Sequence, residues 1–139
     1  MIVLLDTNIF LDALQERQPF DVPAKDILKR AQNREMTCLF TANTAADIFY
    51  LYSKTRDIKS AKIALGFLLE HYGVVSVTHD DCKNAMSLPI EDFEDALVSV
   101  CALKANVDYI ITRDEKFLKA DLPVRRITSN EFIDMLKSQ

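Results

Sequence analysis

The sequence predicts an α/β sandwich built on a parallel sheet, and three observations predict it. Residues 2–5 form an unbroken apolar run that ends at Asp6, the pattern of a strand buried on both faces. Short strand-like runs then alternate along the chain with stretches whose apolar residues recur at helical spacing. Finally, the 139 residues are 49% apolar and carry no internal repeat, low-complexity tract or long linker, which suits one domain, residues 1–139, with a sizeable core. Strands that alternate with helices are joined by parallel crossover units.

The elements follow in order. Strands are expected near 2–5, 37–41, 74–77, 108–112 and 124–127. Helical patterns cover 24–33, 43–55, 57–72, 80–87 and 91–105. Gly73 closes the helix before the β-branched run Val74-Val75-Ser76-Val77. Pro89 cannot sit inside a continuous helix, so it divides the helix around Cys82 from the one beginning near Glu91. Thr128-x-x-Glu131 is a capping box, and Phe132, Ile133, Met135 and Leu136 make 128–137 a final amphipathic helix.

Composition excludes several classes. No apolar stretch approaches a membrane span, and the start lacks the basic region and cleavage site of a secretory signal. Cys38, Cys82 and Cys101 are an odd number at unrelated spacings and read as reduced core thiols of a cytoplasmic protein. His71 and His79 belong to no zinc-like spacing. With two glycines, Gly66 and Gly73, there is no glycine-rich phosphate loop. A net charge of −4 argues against a nucleic-acid coat but not against an enzyme that gathers carboxylates around metal ions.

The acids carry the chemistry. Ligands of open α/β sheets bind outside the carboxyl ends of the strands. Asp6 ends the first strand, and Asp114 follows the fourth in Tyr109-Ile-Ile-Thr-Arg-Asp114. Asp92 and Asp95 share a face at the start of helix 91–105. Asp47 lies on helix 43–55, in a polar stripe with Asn43. Each acid alone also fits a cap, a turn or a solvated surface. Gathered on one side they would repel one another, and a bound Mg²⁺ or Mn²⁺ relieves that repulsion with ligands both ions prefer.

Leu4-Leu-Asp-Thr-Asn-Ile-Phe-Leu-Asp12, Asp92-Phe-Glu-Asp-Ala-Leu97 and Ile111-Thr-Arg-Asp114 resemble, in order and spacing, the signatures of the PIN domain. The resemblance covers essentially the whole chain. It implies a three-layer α/β/α, Rossmann-like sandwich around a five-stranded parallel sheet, and an endoribonuclease that uses Mg²⁺ or Mn²⁺. Asp6, Asp95 and Asp114 match the family's metal-binding acids, and Asp92 matches an accessory acid of some members. Asn8 and Thr112 match residues that shape the site through hydrogen bonds. Asp12 recurs within the first motif, where a structural role on a helix suffices. Small members of the family resembling VapC are toxins that form homodimers and are silenced by an antitoxin.

One position departs from the pattern. The family places Glu where Asp47 falls, after a Ser or Thr that opens the helix; here the stretch is Thr41-Ala-Asn-Thr-Ala-Ala-Asp47. Asp is one methylene shorter and is expected to reach a metal through water. The catalytic set expected is therefore Asp6, Asp47, Asp95 and Asp114, and a weakly active or inactive scaffold is the alternative. A phospho-acceptor receiver domain fits poorly, because the first strand ends in Asp-Thr-Asn without an acidic pair. For the RNA backbone, Arg113 and Lys116 flank Asp114, and Lys54 and Arg56 head a basic cluster with Lys59 and Lys62, which also fits a solvated helix face. Phe49, Tyr50 and Tyr52 fit best in the core, with Phe67, Tyr72 and Phe93.

Overall fold

A computed structural model describes all residues, 1–139. In chain order the elements are β1 (Ile2–Leu5), α1 (Thr7–Leu14), α2 (Asp21–Gln32), β2 (Thr37–Thr41), α3 (Ala42–Thr55), α4 (Ile58–His71), β3 (Gly73–Val75), α5 (His79–Met86), α6 (Phe93–Lys104), β4 (Tyr109–Ile111), α7 (Glu115–Lys119), β5 (Arg126–Ile127) and α8 (Ser129–Lys137). The five strands form one parallel sheet in the order β3-β2-β1-β4-β5. The expected five-stranded parallel α/β fold is the one observed.

The pleat of β1 explains the layers. Val3 and Leu5 point into a large core with Phe10, Ile27, Phe40, Ile48, Leu68 and Phe132, so α1, α2, α3, α4 and α8 cover that face. Leu4 points the other way, against Val98, Cys101, Ile110 and Phe117 of α6, β4 and α7. All three β1 side chains are fully buried, which is why the run reads as uninterrupted apolar residues. No helix is long and apolar enough to cross a membrane. Cys38, Cys82 and Cys101 are free.

From β1 the chain steps to β2 and β3 on one side, then returns to β4 on the other. The order of connections thus reverses between β1 and β4, the place where such sheets open a crevice at their carboxyl ends. Leu5 pairs with Ile111 at that end, and the Asp6 N–H donates to the Ile111 carbonyl at 3.0 Å. Asp6 and Thr112 therefore leave the sheet side by side.

Several boundaries shift from the sequence expectation. Helix α2 begins three residues early, because Pro23 is tolerated in a first turn. Helices α1 and α7 lack a full periodic signal; α7 is only five residues long. Gly73 does not close α4. Tyr72 does so in an extended conformation, and Gly73 opens β3 opposite Leu39. A Cβ on Gly73 would come within 2.7 Å of Leu39 Cδ2, so it is close approach between strands that calls for glycine. Gly73→Ala should therefore cost about 1 kcal/mol by chemical denaturation, because the clash falls on a mobile side-chain end. The cost should shrink in a Leu39→Ala background; full additivity would contradict the close approach.

Candidate active site

The crevice is organised by one hydroxyl. Thr112, fully buried at the end of β4, donates through Oγ1 to Asp6 Oδ2 at 2.8 Å and accepts the Asp114 N–H at 3.2 Å. Asp6 also N-caps α1 by accepting the Thr7 N–H at 2.9 Å. Asp114 N-caps α7: its Oδ1 accepts from Lys116 N at 3.0 Å and Phe117 N at 3.4 Å. Asp92 N-caps α6, with Oδ1 accepting the Asp95 N–H at 3.1 Å. The capping and functional readings of these acids are thus compatible. In Asp92 and Asp114 the cap engages only Oδ1, whereas in Asp6 Oδ1 makes the cap and Oδ2 takes the Thr112 hydroxyl.

Asp6, Asp47, Asp92, Asp95 and Asp114 line a single cleft of about 310 Å³, with Asn8 and Glu94 beside them. A second cavity of about 420 Å³ shares Asp92, Asp95 and Asp114 and adds Lys116. Burial raises the Asp95 carboxyl to about 7, helped by the negative charges of Asp92, Asp6 and Asp114. Asp95 makes no side-chain hydrogen bond that would oppose the rise. Asp6 is also raised, first by burial and then by Asp114 and Asp92, against the stabilising bonds from Thr112 and Thr7. Glu94 is pushed up to about 7, chiefly by a hydrogen bond with Asp47, then by burial and by the Asp47 charge. Asn43 Nδ2 donates to Glu94 Oε1 at 3.4 Å, so Glu94 bridges the starts of α6 and α3.

The donor set fits a hard divalent cation. It is made of carboxylate and amide oxygens, and Asn8 Oδ1 is buried in the cleft with no hydrogen-bond partner. As the side chains stand, no three acids are close enough to chelate one ion together.

The basic residues are distributed otherwise than the sequence suggested. Arg113 lines neither cavity at the carboxylates. Its Nε and Nη2 donate to Asp12 Oδ2 and Oδ1 at 2.8 and 2.9 Å, and its guanidinium stacks 4.1 Å from the Phe20 ring. Asp12, only 1% exposed, therefore serves as the anchor that joins α1 to the segment after β4. Lys54 and Arg56 lie about 10 Å or more along α3 from Asp47, and the Lys54 ammonium sits over the Tyr50 ring at 4.9 Å. Lys116 does line the site, and so does Arg17, which sequence reasoning missed because residues 15–20 carry no periodicity. Glu94 was missed although it lies inside the second motif, one residue before Asp95. Tyr50, Phe67 and Phe93 are exposed rather than core, while Tyr72 is buried.

These features place the chain in a known family. Residues 2–116 match the family model of the PIN domain, and the chain belongs to that family. No curated protein matches the sequence significantly. Among solved structures, the fold is similar to VapBC2 from Rickettsia felis bound to a promoter DNA fragment: TM-score 0.68 and 19% identity over 92% of this chain and 98% of that one. It is similar to VapC20 of Mycobacterium tuberculosis, a toxin that cleaves the sarcin-ricin loop, with TM-score 0.70 and 16% identity over 86% and 95% of the chains. VapBC-1 from nontypeable Haemophilus influenzae gives TM-score 0.68 and 19% identity over 94% and 99%. At these identities the likeness is one of fold.

Removing the anchor tests its role. Asp12→Ala leaves the Arg113 guanidinium, two-thirds covered, without its partner. The variant should lose roughly 3 kcal/mol of unfolding free energy. A loss below about 0.5 kcal/mol would reduce the pair to a solvated surface contact.

Proposed function

We propose that the chain is a divalent-metal-dependent endoribonuclease of the VapC type, acting in the cytoplasm and silenced by an antitoxin. The observation that carries the reading is Asp95: a half-buried carboxyl with no hydrogen bond of its own, ringed by the charges of Asp92, Asp6 and Asp114 at the sheet's crevice. A fold gains nothing from such an arrangement unless a cation joins it.

Asp6, Asp95 and Asp114 would hold Mg²⁺ or Mn²⁺, with Asp92, Asp47 and Asn8 contacting it directly or through water. The ion supplies neutralisation of the phosphodiester and a lowered pKa for attacking water. The chain's own groups do the positioning. Thr112 fixes the orientation of Asp6 and, through the Asp114 N–H, that of the second strand end. Lys116 lines one of the two cavities and Arg17 the other, and both would take phosphates of the bound strand. Glu94, in contact with Asp47, extends the acidic wall where the family's longer Glu is absent.

The neighbours support the remaining assignments by analogy. VapC20 is a toxin that cleaves the sarcin-ricin loop, and a toxin–antitoxin complex from Klebsiella pneumoniae shares the fold at 20% identity. A homodimer and an antitoxin both need apolar surface, and Tyr50, Ile58, Ile63 and Phe67 on α3 and α4 are exposed. The competing reading, an inactive PIN scaffold, is favoured by Asp47 alone. Strong Mn²⁺ binding by calorimetry separates the two, since a scaffold has no use for the ion.

Asp6→Asn and Asp95→Asn should each lower Mn²⁺-dependent cleavage of single-stranded RNA by more than about 100-fold. Unchanged cleavage by both would sink the assignment. The metal-free protein gives an independent readout. Asp95 is raised in the folded state from its usual 3.8 to about 7, so its favourable contribution to stability is present below pH 3.8 and is lost as pH rises through 7. Asp95→Asn should therefore stabilise the metal-free protein at pH 8, by on the order of 1–2 kcal/mol after solvent screening, with little effect at pH 4. A destabilised variant at pH 8 would contradict the crowding of charge.

A further inference from the structure

A third cavity of about 140 Å³ lies against the Asp12–Arg113 pair and shares no lining residue with the carboxylate cleft. It is lined by Asp12, Phe20, Arg113, Thr128, Ser129 and Asn130, with Pro23 at its edge. It is well below the roughly 300–1,000 Å³ of sites for drug-sized ligands, so it suits one small group. Its wall is the N-terminus of α8, a nine-residue helix. Thr128 caps that helix: its Oγ1 takes the Glu131 N–H and its carbonyl takes the Phe132 N–H. The N–H groups of Ser129 and Asn130 are the two of the first turn that no protein acceptor takes. Ser129 Oγ is also buried without a hydrogen-bond partner, in a residue only 8% exposed. A buried hydroxyl without a partner calls for an explanation, and a ligand oxygen provides one.

Charge favours an anion there. The Arg113 guanidinium carbon sits 4.1 Å from the centre of the Phe20 ring, with Nε and Nη2 committed to Asp12 and Nη1 left over. The Asp12 carboxylate is matched twice, by Arg113 and by Arg17 at 3.9 Å. Glu131 is the opposing charge, but its Oε1 accepts from both Thr128 Oγ1 and Thr128 N. A helix N-terminus with free N–H groups, an available hydroxyl and a planar cation is the chemistry that recognises phosphate.

We propose that this cavity is a phosphate subsite, formed by the Ser129 and Asn130 N–H groups, Ser129 Oγ and Arg113, which takes a backbone phosphate of the RNA next to the cleft. The assignment of RNA as the source rests on the ribonuclease reading; the oxyanion chemistry does not. Phosphates of a strand bound across the carboxylates would be gripped a second time at the same edge of the sheet. Arg113 thus contacts RNA here, away from the metal, while anchoring Asp12.

The test is a two-dimensional amide NMR titration of the metal-free full chain, first with inorganic phosphate and then with a short single-stranded oligoribonucleotide. Both should shift the Ser129 and Asn130 amides, and each should compete with the other. Ser129→Pro removes one N–H and the hydroxyl together. Proline is accepted at the first helical position, and Thr128, with φ −78° and ψ 162°, already has the conformation that precedes it. Its thermal melt should stay close to that of the parent, while phosphate binding weakens at least about tenfold. Ser129→Ala should fall between. Silent amides with both probes, or equal binding by Ser129→Pro, overturns the subsite. Shifts with phosphate and none with RNA overturn the RNA assignment. Cleavage assays stand apart: an active nuclease with silent amides sinks the subsite only, and shifted amides without cleavage sink the nuclease reading only.

Discussion

Burial of several carboxylates side by side at the β1–β4 crevice, with their mutual repulsion added to it, is the constraint around which the site is built. Parallel strands end together, and the reversal of strand order between β1 and β4 leaves their ends uncovered. Residues placed there share one opening whatever their distance in sequence. Asp6 and Asp114 are 108 positions apart, yet a single threonine hydroxyl bonds to one through its side chain and to the other through its backbone. Helix α6 begins over the same opening and adds Asp92 and Asp95. The local rules of folding do not oppose this. Each of Asp6, Asp92 and Asp114 caps a helix, so three acids are held in place by bonds that any helix start would use. Asp95, which caps nothing, shares with Asp6 the cost of burial and of neighbouring negative charge, a cost that a bound cation would remove.

The positive charges show a division of labour. Lys116 and Arg17 reach the acidic cavities, whereas Arg113 is turned away and locked to a buried Asp12. That lock joins α1, which Asp6 begins, to the segment between Thr112 and Asp114. It therefore fixes the spacing of two proposed metal ligands from behind. A guanidinium suits the post because its planar fork satisfies both Asp12 oxygens and still stacks on Phe20.

Much of this was legible in the sequence because it depends on backbone direction alone. The uninterrupted Ile2–Leu5 run marked a strand covered on both faces, and the alternation with helical patterns fixed parallel connections. The acids could be assigned to one edge from their positions at strand ends. What stayed illegible depends on side-chain partners and close approach. Nothing in the order of residues shows that Arg113 folds back onto Asp12, a pairing visible only once the packed side chains, Phe20 among them, are in place. Gly73 reads as a helix terminator until Leu39 is seen against it. Tyr50 and Phe67 fall at apolar positions, but α3 and α4 pack against each other at the margin of the fold and leave part of that surface open. Glu94 lay within a recognised motif and was passed over because its significance comes from Asp47, on another helix.

The most direct test of the central claim is anomalous diffraction from crystals grown or soaked in Mn²⁺. The account requires a peak within ligand or single-water reach of Asp6, Asp95 and Asp114, with Asp95 turned toward it. A well-ordered crystal in Mn²⁺ with no peak in this crevice, or with its peak held by acids elsewhere, would contradict it.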